Sequence, residues 1–197
     1  MSYVYSSQVK NTSGQVIVPQ YGSVINTSTM RYDGRPQYWT RGWIQYDNNG
    51  TLFALRLTAQ NVQHPNNIII CSWQLTMETD NNIVFKVLKN GSWYDDSFGT
   101  NNSVYGHSEE WYWRGLLCAY HDQDNSSTPA NYQLMYMCRA GQTGNINFDI
   151  VAQHAGDSNS NIYINRCWNS SGQDSYETGV CTGVAFEISH TSGGQGQ

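Results

Sequence analysis

The sequence predicts an all-β protein, an antiparallel sandwich or barrel of roughly eight or more short strands. Three observations predict it. Apolar residues recur with a period of two, turn-forming residues separate the runs, and no window of about a dozen residues carries a helical apolar stripe.

The runs follow in order. "TLFALRLT" places Phe53, Leu55 and Leu57 on one face, and "NIIICSWQLTM" does the same with Ile69, Cys71, Trp73, Leu75 and Met77. "NIVFKVLKNGSW" puts Ile83, Phe85 and Val87 inward and then turns at Asn90-Gly91. That dipeptide best tolerates the positive φ values of a tight hairpin. "WYWRGLLCAY", "NYQLMYMCRAG", "INFDIVAQ", "IYINRCW" and "VCTGVAFEI" are the later strands. Between them "SFGTNNSVYG", "HDQDNSSTPA" and "GDSNSN" have turn and loop chemistry. Clean alternation is what two layers produce when each buries one face.

Three segments differ in pattern. Residues 1–45 read as an N-terminal arm with an edge strand, able to lie on a neighbour, and 46–190 as the sandwich. Residues 191–197, "TSGGQGQ", hold no apolar side chain to bury and read as a flexible tail.

Composition narrows the function. Charged residues are 13% of the 197, against about 25% in ordinary domains. Polarity comes instead from Asn, Gln, Ser, Thr and Gly, while seven Trp and 14 Tyr supply flat rings for pleated surfaces and interfaces. A net charge of −5 with scattered Lys and Arg argues against nucleic acid as a partner. The longest apolar run is strand-sized, so no membrane span is expected. The opening "MSYVYSSQVKN" lacks the pattern of a secretory signal, which leads to the expectation of synthesis in a reducing cytoplasm.

Five cysteines, Cys71, Cys118, Cys138, Cys167 and Cys181, include no CxxC pair, and read as buried reduced thiols. A Cys167–Cys181 bridge across the last two runs is the alternative. Sequons such as those at Asn11, Asn90 and Asn169 follow from an Asn- and Ser-rich composition.

Candidate chemistry is sparse. Asp95-Asp96 and Glu109-Glu110 are adjacent pairs, and neighbours on a strand point to opposite faces, so solvated loop charge is the plainer reading than a glycosidase pair. "DQDNSSTPA" begins like a calcium loop at Asp122 and Asp124, but lacks the glycine and the closing glutamate of one. His64, His107, His121, His154 and His190 have no metal-site spacing, and no GxSxG elbow or phosphate-cradling loop occurs. No catalytic residue, metal or cofactor is therefore expected. Trp93, Tyr94, Trp111 and Trp113 read as core or interface rings, or else as a platform for a sugar.

Three stretches carry a resemblance. "NNIIICSWQLTMETDNNIVFKVLKNGSW", "NYQLMYMCRAGQTGNINFDI" and "IYINRCWNSSGQDSYETGVCTGVAFEIS" resemble the strands of a small β jelly-roll domain of bacteriophage fibre and virion decoration proteins. That domain, known from cyanophage and marine-phage virions, is similar to the tumour-necrosis-factor and C1q heads. The likeness covers residues 50–189, and Ile164, Asn165, Arg166, Tyr176, Glu187 and Ile188 carry its last part. It implies a jelly roll, a homotrimer, and a non-enzymatic virion protein that decorates or cements a capsid or caps a short head or tail fibre. Partners would be other virion proteins. A receptor- or glycan-binding fibre tip touching a host surface glycan is the alternative, and a glycan-active enzyme a more distant one.

Two features depart from the family: heavier Trp and Cys content, and no shaft repeat ahead of the domain, which favours a short stand-alone component. Under this reading "YINR…EIS" is a closing hairpin with Ile162, Ile164, Val184, Phe186 and Ile188 in the core. Tyr163, Asn165, Arg166 and Tyr176 would then be polar contacts to a neighbouring subunit.

Overall fold

A computed structural model describes residues 9–10, 16–17, 22–35, 37–40, 55–79, 82–92, 116–119, 128–154, 160–167 and 177–190. Within them the alternating runs become twelve strands and no α-helix. In chain order these are β1 (Val9–Lys10), β2 (Val16–Ile17), β3 (Val24–Tyr32), β4 (Gln37–Thr40), β5 (Leu57–Val62) and β6 (Ile68–Thr79). There follow β7 (Ile83–Lys89), β8 (Leu117–Ala119), β9 (Ala130–Arg139), β10 (Gly144–His154), β11 (Ser160–Ile164) and β12 (Cys181–Ile188).

The pairing is nested. β3 pairs with β12, β5 with β10, β6 with β9 and β7 with β8, all antiparallel, as if one long hairpin were rolled upon itself. The β12–β6 and β10–β7 pairs then close two sheets, β3-β12-β6-β9 and β5-β10-β7-β8, which is the strand order of a jelly roll. β11 and β4 extend the larger sheet, and β1 and β2 make a separate small ladder. Thus β3 and β4, from the N-terminal segment, are strands of the sandwich itself.

The core lies between the sheets. Ile69, Cys71, Trp73, Leu75 and Met77 of β6 are fully buried against Ile83, Phe85 and Val87 of β7 and Ile146, Phe148 and Ile150 of β10. Tyr136 and Phe148 meet across the layers with centroids 5.9 Å apart. Trp73 Nε1 donates to the Leu55 carbonyl at 3.0 Å, so the largest core side chain leaves no unpaired polar atom. Along one side the sheets are stitched directly: Asn26 Nδ2 donates to the Gln60 carbonyl, and Gln60 N donates to Ser28 Oγ.

The Asn90-Gly91 turn forms as its chemistry requires. Both residues have positive φ, 52° and 74°, and Lys89 and Ser92 exchange two backbone hydrogen bonds of 3.0 Å across it.

Three sequence expectations are corrected. The first strand is shifted: Leu55 and Leu57 are buried, but β5 runs from Leu57 to Val62. Second, β11 and β12 are not a hairpin. Both pair with the same edge of β6, β11 at residues 77–79 and β12 at 68–74, so they lie end to end. Asn165 makes the break. Its φ is 58°, its N–H donates to the Thr76 carbonyl, and Gly179 N returns to the Asn165 carbonyl. β11 and β12 thus run as one interrupted strand along that edge.

Third, β12 faces the other way. Cys181, Gly183, Ala185 and Glu187 point into the protein, while Val184, Phe186 and Ile188 are half-buried on the outer face. Space decides it, because Gly183 lies opposite Trp73. A Cβ on Gly183 would come within 2.9 Å of Met30 Cγ and 3.0 Å of Trp73 Cδ1, so the inward side of β12 holds only small residues there. Glu187 is accommodated at the strand end, where its Oε1 accepts from Gln63 N and Asn67 Nδ2, both at 2.7 Å.

Candidate interaction surface

Turning β12 over gives the larger sheet a second apolar face. Register defines it row by row. Met137, Ile70, Phe186 and Thr27 align across β9, β6, β12 and β3, and Met135, Ser72, Val184 and Thr29 form the next row. Arg139, Ile68, Ile188 and Val24 flank them on one side, and Gln133, Gln74, Thr182 and Arg31 on the other. Met135, Met137 and Val24 are 56%, 50% and 54% exposed, the large apolar side chains most open to water among the described residues. With strands about 4.8 Å apart and rows about 6.7 Å apart, the three apolar rows cover about 14 Å by 13 Å.

The polar row borders an open depression of about 500 Å³ lined by Thr29, Arg31, Ser72, Gln74, Gln133 and Thr182, with Met30, Trp73, Gly183 and Val184 making up its apolar part. Arg31 makes no hydrogen bond or ion pair among the described residues.

The expected contact residues sit elsewhere. Asn165 is fully buried, and its Nδ2 donates to the Tyr32 carbonyl at 2.8 Å and to that of Gly34 at 2.9 Å. Tyr163 is buried on β11, with the Arg166 guanidinium 4.9 Å from its ring centroid. Arg166 Nε donates to the Arg35 carbonyl at 3.1 Å. These three side chains therefore join β11 to the β3–β4 connection within one chain. Tyr176, and the aromatic candidates Trp93, Tyr94, Trp111 and Trp113, lie outside the described residues, as do Asp95, Asp96, Glu109, Glu110 and the "DQDNSS" loop.

Several of the described ionisable groups are engaged in structure. Buried Asp149 receives both arms of Arg56, Nε at 2.6 Å and Nη2 at 3.0 Å, and this pairing raises the arginine's pKa. Lys89 Nζ donates to the Arg139 carbonyl at 2.7 Å. Lys86 is buried on β7, and desolvation lowers its pKa to about 8. Among the described residues no three of His, Cys, Asp and Glu come together as a metal-binding group. None of the five cysteines is in a disulfide; four are buried as expected, while Cys118 is instead exposed on the short strand β8.

Sequence reasoning missed Met135, Met137, Ile68 and Ile70 as surface residues. A signal was present: in "NIIICSW" and "LMYMC" both phases of the alternation are apolar, the mark of a strand covered on two sides. No family model and no curated protein matches the chain.

Proposed function

We propose that the protein is a non-enzymatic structural subunit of a phage virion surface, a homotrimeric capsid decoration or cement protein or a short head- or tail-fibre subunit, which assembles through the outer face of its larger sheet. The observation that carries the reading is the apolar surface made by Met135, Met137, Ile70, Val184 and Phe186. Apolar patches on a sheet face, rimmed by polar residues, suit protein contact. This one is smaller than the roughly 800 Å² a stable interface buries per partner, so it serves as the centre and the amide-rich surroundings as the rim.

The virion assignment is supported by the jelly-roll strand order together with the resemblance of residues 50–189 to phage virion domains. The work of such a subunit is burial of area, which raises particle stability by binding only the assembled state. Attachment to the particle is assigned to residues 1–21, ahead of β3, whose removal leaves the sandwich strands in place.

Immunogold electron microscopy of particles whose genome encodes this chain tests the reading. Gold is expected on the virion surface, lost from particles bearing the chain without residues 1–21. Label confined to cell debris would overturn it.

A further inference from the structure

Resting on the assembly reading above, we propose that the Arg31 corner of the larger sheet is a socket for a carboxylate side chain of a second copy of this chain. Arg31 is exposed on β3, and its guanidinium makes no bond among the described residues. Around it Thr29, Ser72, Gln74, Gln133 and Thr182 line the open depression with hydroxyls and amides beside apolar Met30, Trp73 and Val184, and no carboxylate is among the lining residues. A guanidinium fork beside neutral donors matches a carboxylate arriving from outside. The socket borders the apolar surface directly, since Val184 and Ser72 belong to both.

Charge also fixes the mode of association. The described charged residues in the four rows of this face are Arg31 and Arg139, at opposite corners. Two copies packed face to face about a twofold axis would supply no acid to either arginine. The chain as a whole holds 15 Asp and Glu against ten Lys and Arg. The exposed carboxylates of the described residues, Asp33 and Glu177, lie past the end of β3 and ahead of β12, off these rows. The face therefore meets a different, acidic surface of its neighbour. Such a heterologous contact closes into a ring when the rotation allows.

The test uses the full chain, measured by native mass spectrometry and sedimentation. Arg31→Glu is expected to raise the dissociation constant of the oligomer at least tenfold, and Arg31→Gln several-fold, with thermal melting of the protomer unchanged. A scan replacing each Asp and Glu by Lys in the Arg31→Glu background is expected to yield one variant that restores the oligomer. Cysteine introduced at Met135, with Cys118 replaced by Ser, is expected to give no disulfide between two copies of position 135.

Assembly unaffected by Arg31→Glu but abolished by Phe186→Glu would remove the socket and leave the assembly reading standing. A disulfide joining two copies at position 135 would show twofold packing and overturn the proposal in the same way. A monomeric wild-type chain would remove both. Binding of a glucuronate-bearing tetrasaccharide, lost in Arg31→Gln while the oligomer persists, would assign the socket to an external ligand instead.

Discussion

Gly183 of β12 lies directly opposite Trp73 of β6, and a Cβ on the first would come to 3.0 Å from the indole of the second and 2.9 Å from Met30 Cγ. This pairing turns the apolar half of β12 outward, so the surface assigned to assembly is a consequence of core packing. Gly183→Val should overpack the site and cost about 1–3 kcal/mol. Urea unfolding would show a lowered midpoint with an unchanged slope. An unchanged midpoint would mean that the fit around Trp73 is loose.

Asn165 combines a left-handed backbone with a side chain spent on two carbonyls. Replacing it with Ala should lose those bonds and strain the backbone, for about 2–4 kcal/mol in all. Asn165→Gly keeps the conformation and should be destabilised less. Denaturant curves for the pair would isolate the strain; equal losses would contradict it.

Lys86 gives a signed pH dependence. Its pKa falls from 10.5 to about 8 on burial, so between these values the unfolded chain binds more protons than the folded one. Stability from this group therefore rises with pH through that window and is flat below about pH 8. Relative to Lys86→Met, the wild-type chain should gain stability as pH is raised from 8 to 10.5. The midpoint of chemical unfolding at each pH reads this out, and a falling difference would contradict the assignment.

Thiol chemistry should divide the cysteines. Cys118 is exposed, and burial raises the pKa of Cys71, Cys167 and Cys181. A thiol-reactive chromophore should label Cys118 quickly and the other four only after denaturation. Absence of the slow set in denaturant would show that bridges had formed.

Much of the fold was legible because one face of β6 and one of β7 are strictly apolar in the correct phase, Ile69 to Met77 and Ile83 to Val87. The Asn90-Gly91 turn was legible because so few dipeptides accept two positive φ values. β12 was not. Its bulkier set, Val184, Phe186 and Ile188, suggests an inward face, and only the partner strand reveals that Trp73 needs glycine opposite. The break at Asn165 was also hidden, since β11 and β12 look like consecutive partners until both are placed along one edge of β6. Nor does the period of two say whether an apolar phase meets a core or a neighbour, which is why Met135 and Met137 escaped notice as a site.

The central claim is that the outer face of the larger sheet is covered by other copies of the chain. Native mass spectrometry of the purified protein at micromolar concentration, beside a Met135→Glu/Met137→Glu variant, tests it most directly. A trimeric wild type and a folded, monomeric variant are predicted. A wild-type monomer, or a variant that stays trimeric, would contradict the claim.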